Sequence, residues 1–207
     1  MVFTPKNQRP LIGVILAGGQ GTRMGGCEKA LLDFHGETLL TRGINRIKCQ
    51  VSSLIINANR QLDDYRSYGL PIVMDQPRYA GMGPMAGIQA ALLHAWEANG
   101  FQDCWLLTAP CDCPFMPTDL AERLMATAEQ TDSLCAVTWD GERMHPTFSL
   151  VHSTLLPALT ESLEGGKYTL GRWLQESSVV YADFSDHLAA FENINTPEQL
   201  RAGTGNL

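Results

Sequence analysis

An unbroken apolar run that ends in glycines is the feature that most limits how this chain can fold. Residues 11–16 read LIGVIL, and five of the next ten residues are glycines, beginning with Gly18 and Gly19. A short apolar run is typical of a strand that helices cover on both faces of a parallel sheet. Glycines let the backbone approach a ligand closely and present N–H groups to it. The segment therefore predicts a buried strand followed by an anion-binding loop.

Apolar runs continue to alternate with amphipathic stretches along the chain. Strands that alternate with helices favour a three-layer, doubly wound α/β fold with a mostly parallel sheet, in which ligands bind at the carboxyl ends of the strands. The predicted strands are 11–16, 51–58, 71–74, 105–109, 133–139, 147–151 and 179–183. The predicted helices are 38–50, 85–99, 153–164 and 169–176, with two more that open at Thr118 and Thr196.

Length and composition limit the class of protein. The chain has 207 residues, 44% of them hydrophobic and 18% charged, which suits one globular domain. We predict a flexible tail at 1–10 and a single domain at 11–207. The formal net charge of −7 argues against nucleic acid and against an anionic membrane as partners.

The location of the protein is predicted from what the sequence lacks. No apolar run is long enough to span a bilayer, and the N-terminus has no apolar segment of the kind that signal peptides carry. The six cysteines are scattered, and we interpret them as reduced thiols. These observations predict a cytoplasmic protein.

Two familiar phosphate-binding loops do not fit the glycine-rich segment. A dinucleotide fingerprint that starts at Gly19 needs a third glycine where Met24 stands. A Walker loop that starts at Gly21 needs lysine where Cys27 stands. If the segment binds phosphates, it therefore does so by a different arrangement.

Three charged residues supply the chemistry that such a site needs. Arg23 and Lys29 lie within reach of the glycine-rich loop and would neutralise phosphate charge. Asp112 follows directly after the strand predicted at 105–109, where ligands of a doubly wound sheet bind. Carboxylate oxygens suit Mg²⁺. The alternative for Asp112 is a turn residue that caps the loop before Pro114.

The whole loop carries a resemblance to a known family. Residues 16–29 read LAGGQGTRMGGCEK, which resembles the L-A-G-G-x-x-x-R-M-G-G-x-D-K signature of nucleotidyltransferases, in the version typical of molybdenum cofactor guanylyltransferases. The chain departs from it at Glu28, where the family usually has aspartate. The resemblance covers about residues 11–201 and is weakest at 165–176. Further matching segments are 56–60 (INANR), Asp75 with 83–87 (GPMAG), 110–114 (PCDCP), 140–146 (DGERMHP) and 193–197 (NINTP).

The resemblance implies a reaction and the residues that perform it. The reaction is transfer of GMP from GTP to the terminal phosphate of molybdenum-molybdopterin, with release of pyrophosphate. Mg²⁺ is the implied cofactor, and Arg23, Lys29 and Asp112 are the expected catalytic residues, with Asp112 as the metal ligand. The expected nucleotide contacts are Leu16, Ala17, Gly18, Gly19, Lys29, Asn57, Asp75 and Asp112. The expected pterin contacts are His145, Asn193 and Asn195.

Two other functions stay open from the sequence. One is a related nucleotidyltransferase that uses CTP or a sugar phosphate, and the other is a nucleotide-binding regulatory protein without catalysis. For the favoured function we expect a monomer or weak oligomer that makes transient contact with molybdoenzyme maturation proteins. Because Lys29 and Asn195 lie far apart in the chain, we also expect separate nucleotide and pterin ends, so that Asn195→Ala leaves GTP affinity unchanged.

Overall fold

The computed structural model describes residues 9–19 and 28–202, and these form an α/β fold. The predicted tail at 1–10 therefore lies mostly outside the described residues. The strands are β1 Leu11–Leu16, β2 Asp33–Phe34, β3 Glu37–Thr38, β4 Ser53–Asn57, β5 Ile72–Val73, β6 Trp105–Pro110, β7 Cys135–Trp139, β8 Met144–His152 and β9 Val180–Asp183. The α-helices are α1 Leu39–Ile47, α2 Leu62–Arg66, α3 Pro84–Ala98, α4 Leu120–Thr131, α5 Leu156–Glu164, α6 Leu170–Glu176 and α7 Pro197–Ala202.

Seven of these strands form one central sheet in the order β5-β4-β1-β6-β8-β7-β9. Strand β8 runs antiparallel to both of its neighbours, and every other pairing in the sheet is parallel. The predicted mostly parallel sheet is therefore confirmed. The short strands β2 and β3 form a separate hairpin.

Helices cover both faces of this sheet, which confirms the predicted three layers. On one face, α1 and α4 bury side chains such as Leu40 and Leu124 against Leu107 of β6. On the other face, α3, α5 and α6 bury side chains such as Leu92 against Leu106, the next residue of the same strand. Successive residues of a strand point to opposite faces, so an apolar run fills both cores at once.

The sheet register brings three strand ends to one edge. Leu16 at the end of β1 lies opposite Asn57 at the end of β4 and opposite Pro110 at the end of β6. The chain passes from β1 to β4 and β5 on one side and then to β6 on the other side. The edge beside β1 is therefore the switch point at which doubly wound sheets bind ligands.

Some short elements and boundaries differ from the sequence prediction. The β2–β3 hairpin was not predicted; its turn residues His35 and Gly36 have φ of 58° and 88°, as a tight two-residue hairpin requires. Helix α2 was also missed, because it has five residues and follows Gln61, whose φ is 47°. Helix α4 begins after Asp119, so the prediction that Thr118 caps it is wrong.

Side-chain contacts hold both ends of the described chain. Thr196 caps the last helix as predicted, since its hydroxyl accepts a hydrogen bond from the Gln199 N–H at 3.2 Å. At the other end, a guanidinium nitrogen of Arg9 lies 2.9 Å from Nε2 of His152. Within 9–19 and 28–202, no helix has both the length and the apolar character that a membrane span requires.

Candidate active site

A cleft of about 480 Å³ opens at the carboxyl edge of β1, β4 and β6. Apart from Arg23, it contains every residue that was predicted to contact the nucleotide, and it also includes residues without a predicted role. The predicted residues are Leu16, Ala17, Gly18, Gly19, Lys29, Asn57, Asp75 and Asp112. The additional residues are Gly81, Gly83, Pro84, Pro110, Cys111 and Thr147.

The Lys29 ammonium group is the charged centre of this cleft. Its Nζ lies 2.6 Å from Oδ2 of Asp112, and the two side chains are only 18% and 15% exposed. The same Nζ donates a hydrogen bond to Oδ1 of Asn195 at 2.7 Å. A cation and a carboxylate that are both largely removed from water stabilise each other more than a surface pair does.

The segment that carries Asn195 is fixed to the strand end that carries Asp112. The backbone N–H of Ile194 donates to the Asp112 carbonyl at 2.9 Å, and the Cys113 thiol donates to Oδ1 of Asn193 at 3.0 Å. The expected nucleotide and pterin ends of the site therefore meet at Lys29, and the expectation that Asn195→Ala leaves GTP affinity unchanged stays a prediction. Sequence separation gave no sign of this, because residues 193–195 return to the sheet edge only through tertiary packing.

A second polar cluster lies at the end of β4. The buried Asn57 amide donates to the Val73 carbonyl at 3.1 Å and to Oδ1 of Asp75 at 2.9 Å. Asn59 donates to Oδ2 of Asp75 at 2.8 Å and accepts from the Asp75 N–H at 2.8 Å. Two neutral amides thus fix the Asp75 carboxylate beside the cleft, and each of its oxygens keeps a lone pair for a further donor.

The start of α3 borders the same cleft. Gly83, with φ of 73°, precedes the helix, Pro84 occupies its first turn, and that turn carries no acidic residue. The first N–H groups of a helix lack intrahelical partners and carry partial positive charge. This helix end therefore adds to the attraction of the cleft for anionic or electron-rich groups.

None of the three predicted pterin contacts lines the cleft among the described residues, although Asn195 contacts Lys29 at its edge. Nε2 of His145 is 2.6 Å from Oδ2 of Asp140, and the imidazole stacks on Phe191 with ring centroids 4.7 Å apart. The Asn193 amide oxygen accepts from Cys113. These contacts connect the turn before β8 to the 191–195 segment, so His145 has a packing role that the sequence did not suggest.

The Asp140 carboxylate is unusually acidic for a buried group. Burial by itself would raise its pKa, but the N–H groups of Arg143 and Glu142, together with His145, lower the pKa to about 2. Both N–H groups donate to Oδ1 at 2.8 Å. The carboxylate is therefore ionised at neutral pH and holds the turn in shape.

The oxygen atoms that line the cleft suit a hard cation that a bound ligand also coordinates. Among the described residues, no group of three or more His, Cys, Asp or Glu side chains has the arrangement of a complete metal site. Mg²⁺ is commonly held by one or two carboxylates plus substrate phosphates, so the single carboxylate of Asp112 fits it. Burial raises the pKa of both the Cys111 and Cys113 thiols, so both stay protonated at neutral pH.

Sequence reasoning assigned no role to three residues that support the cleft. The Glu28 carboxylate is buried, lies 2.9 Å from an Arg60 guanidinium nitrogen and accepts from the Tyr65 hydroxyl at 3.1 Å. Arg60 belongs to the matching segment 56–60, which was the only signal of it in the sequence.

Arg23, a predicted phosphate contact, lies outside the described residues.

Known proteins are similar to this chain over most of its length. The family model of the MobA-like NTP transferase domain matches residues 13–180. The molybdenum cofactor guanylyltransferase of Vibrio vulnificus is 43% identical over 188 residues, which is 90% of this chain and 91% of that protein. The one from Polynucleobacter asymbioticus is 38% identical over 208 residues, which is 97% of each chain.

A solved structure shares the fold. The crystal structure of molybdopterin-guanine dinucleotide biosynthesis protein A from Archaeoglobus fulgidus matches 93% of this chain and 95% of its own, with a TM-score of 0.74. Its sequence is 24% identical, so this likeness concerns the fold.

The contact between α3 and Asn57 leads to a first prediction. A Cβ at Gly87 would overlap the Asn57 side-chain oxygen and lie 2.8 Å from the side-chain carbonyl carbon. Although Gly→Ala in an open helix stabilises by about 1 kcal/mol, Gly87→Ala should destabilise by about 1–3 kcal/mol, because Asn57 must leave its hydrogen bonds. Urea unfolding measures the change. Gly43→Ala in α1 is the control, since its Cβ would meet Ile15 at an ordinary 3.4 Å; equal effects of the two substitutions would contradict the prediction.

A second prediction concerns the pH dependence of stability at Asp140. Its folded pKa of about 2 lies below the ordinary value of 3.8, so the carboxylate stabilises the fold above pH 3.8 and loses this effect as pH falls toward 2. Asp140→Asn should therefore lower the urea midpoint at pH 5, and the gap from the wild type should narrow below about pH 4. The exposed Asp63→Asn is the control. A gap at Asp140 that stays constant down to about pH 2.5 would count against this assignment.

Proposed function

Because this chain belongs to the molybdenum cofactor guanylyltransferases, within the MobA-like NTP transferase family, we propose that it transfers GMP from GTP to molybdenum-molybdopterin. An oxygen of the pterin's terminal phosphate forms a bond to the α-phosphorus of GTP. The bond from that phosphorus to the oxygen bridging to the β-phosphate breaks, and pyrophosphate leaves. The observation that carries the proposal is the largely buried Lys29–Asp112 pair in a cleft at the switch point of the sheet.

The chemistry of this reaction requires positioning and positive charge more than covalent help. The attacking group is already an ionised phosphate, so no general base is needed. Charge grows on the bridging oxygen and on pyrophosphate as the bond breaks, and nearby fixed cations stabilise that charge. The Lys29 ammonium supplies such a cation in the cleft, and because its side chain is largely removed from solvent, its effect is larger than at a surface.

Lys29 serves the α-phosphate in this proposal, and Arg23 serves the β- and γ-phosphates. The N–H groups of Gly18 and Gly19 and the positive end of α3 border the same cleft and add donors. Asn195 and Asp112 both hold the Lys29 ammonium. The ammonium is therefore aimed before the ligand arrives, which lowers the cost of ordering it during the reaction.

Asp112 is the proposed ligand of Mg²⁺. When bound, the metal supplies charge stabilisation to the phosphates that it contacts. Asp112 lies two residues beyond the end of β6. The Cys111 N–H before it donates to the Leu16 carbonyl at 3.2 Å, and the Asp112 carbonyl accepts from the Ile194 N–H at 2.9 Å. These contacts fix the carboxylate relative to the loop that carries Gly18 and Gly19.

The base and the acceptor are proposed to bind at the two sides of Lys29. Asn57 and Asp75 border the nucleotide side, where the free lone pairs of Asp75 suit the N–H donors of guanine. Asn195, with Asn193 and His145 behind it, borders the pterin side. The proposal also includes a cytoplasmic monomer or weak oligomer and transient contact with molybdoenzyme maturation proteins.

Nucleotide choice is the third prediction and tests the function directly. GTP at about 100 times its dissociation constant should stabilise the protein by about 2.7 kcal/mol, and CTP at the same concentration should stabilise it far less. Pyrophosphate release should require both GTP and molybdenum-molybdopterin. Thermal shift and a coupled pyrophosphate assay measure these effects with GTP, CTP, ATP and UTP in parallel. Equal turnover with CTP would reject the guanylyl assignment, and binding without turnover would favour a regulatory protein.

The fourth prediction separates the metal role of Asp112 from its ion pair with Lys29. Asp112→Asn should lower turnover by about a hundredfold or more, since removal of the metal ligand costs about 3 kcal/mol of transition-state stabilisation. The Mg²⁺ concentration that gives half of the maximal rate should rise as well. The exposed Asp132→Asn serves as the control. An unchanged Mg²⁺ dependence in folded Asp112→Asn would refute the metal role.

A further inference from the structure

Arg60 contacts the two residues that border the segment 20–27 in the chain. One guanidinium nitrogen, Nη2, lies 2.9 Å from Oε1 of Glu28 and donates to the Gly19 carbonyl at 3.3 Å. Gly19 lines the cleft, and Glu28 directly precedes Lys29. A single cationic group therefore holds the backbone before the segment and the carboxylate after it.

The Glu28 carboxylate depends on this contact because it is buried. Its side chain is 5% exposed, and its other oxygen accepts a hydrogen bond from the Tyr65 hydroxyl at 3.1 Å. Tyr65 is fully buried, and burial followed by the charge of Glu28 raises its pKa, so it remains a hydroxyl donor. Removal of the cation from a buried ion pair strongly destabilises the fold, because a buried charge is left without compensation. The position of Glu28 therefore depends on Arg60.

The position of Glu28 in turn determines the position of the Lys29 Cα atom. Glu28 has extended backbone, with φ of −68° and ψ of 105°. Its side chain points into the protein toward Tyr65, whereas the side chain of Lys29 reaches Asp112 in the cleft. Glu28 and Lys29 are adjacent, so a shift of the anchored carboxylate moves the Cα atom from which the ammonium extends.

We infer that Arg60 is a positioning residue for Lys29, acting through Glu28 and the Gly19 carbonyl. Arg60 contacts Glu28 and the Gly19 carbonyl, and its side chain is 47% exposed. It keeps the Lys29 ammonium in contact with both Asp112 and Asn195, where the proposed function needs it. The inference rests on the proposed catalytic role of Lys29.

A double-mutant cycle on the full-length protein tests this inference. Arg60→Met should lower kcat for GTP- and molybdopterin-dependent pyrophosphate release about tenfold, and it should change KM for the pterin by less than about twofold. In the Lys29→Ala background, the same substitution should lower the residual kcat by less than about twofold, because the group that it positions is gone. Arg66→Met is the matched control, since Arg66 lies in α2, 70% exposed at its side chain, and pairs with Asp63.

The outcomes separate this inference from the function on which it rests. Equal fold losses in the wild-type and Lys29→Ala backgrounds, or no loss of kcat in the wild-type background, would overturn the positioning role. If Lys29→Ala alone left kcat unchanged, the role of Lys29 would be refuted, and the inference with it. Should Arg60→Met not fold, the Glu28→Gln/Arg60→Met protein replaces it in the same cycle, because it leaves no buried carboxylate without a cation. That protein should show the same loss of kcat and the same lack of additivity with Lys29→Ala.

Discussion

The ion pair between Lys29 and Asp112 is the contact on which the rest of the site depends. Both groups are mostly removed from water, and each would be costly to bury without the other. Their 2.6 Å contact requires the end of β6 and the segment after the glycine-rich loop to meet at one edge. The parallel register of β1 with β4 and β6 brings these ends together. The sheet thus holds the two charged groups in contact, and this contact offsets the free-energy cost of burying them.

Asn195 connects this pair to the last part of the chain. Its side-chain oxygen accepts from the Lys29 ammonium, and its backbone N–H donates to the Gln199 side chain at 2.7 Å. A neutral acceptor holds the ammonium without adding charge, so Lys29 keeps a net attraction for anions that a second carboxylate would remove. In the proposed reaction, nucleotide and acceptor therefore meet at one shared ammonium rather than at two independent half-sites.

The sequence predicted what depends on local pattern and missed what depends on tertiary contact. Apolar runs that serve both sheet faces placed β1, β4 and β6, and with them Asn57 and Asp112 at the strand ends. The contact of Lys29 with Asn195 spans 166 residues of chain, and no periodicity or capping signal reports such a distance. Helix α2, with the buried Tyr65 that holds Glu28, escaped prediction because five residues are too few for a helical period and Gln61 precedes them with positive φ. Arg60 and His145 belong to the matching segments of the sequence, but their contacts could not be predicted from it. These contacts are made with residues that only the tertiary fold brings close to them.

Three carboxylates lie at or next to the cleft. They differ in whether their partners only hold them in place or also take part in the proposed reaction. Asp75 is held by the neutral amides of Asn57 and Asn59, and Glu28 by Arg60 and Tyr65, all of which belong to the framework. Only the partner of Asp112, the Lys29 ammonium, is itself proposed to bind phosphate. In the proposed reaction a triphosphate would share the Lys29 ammonium with Asp112, and the Asp112 carboxylate would then have more of its charge available for a divalent cation. Nucleotide and metal binding should therefore favour each other through Lys29, while Asp75 and Glu28 remain fixed.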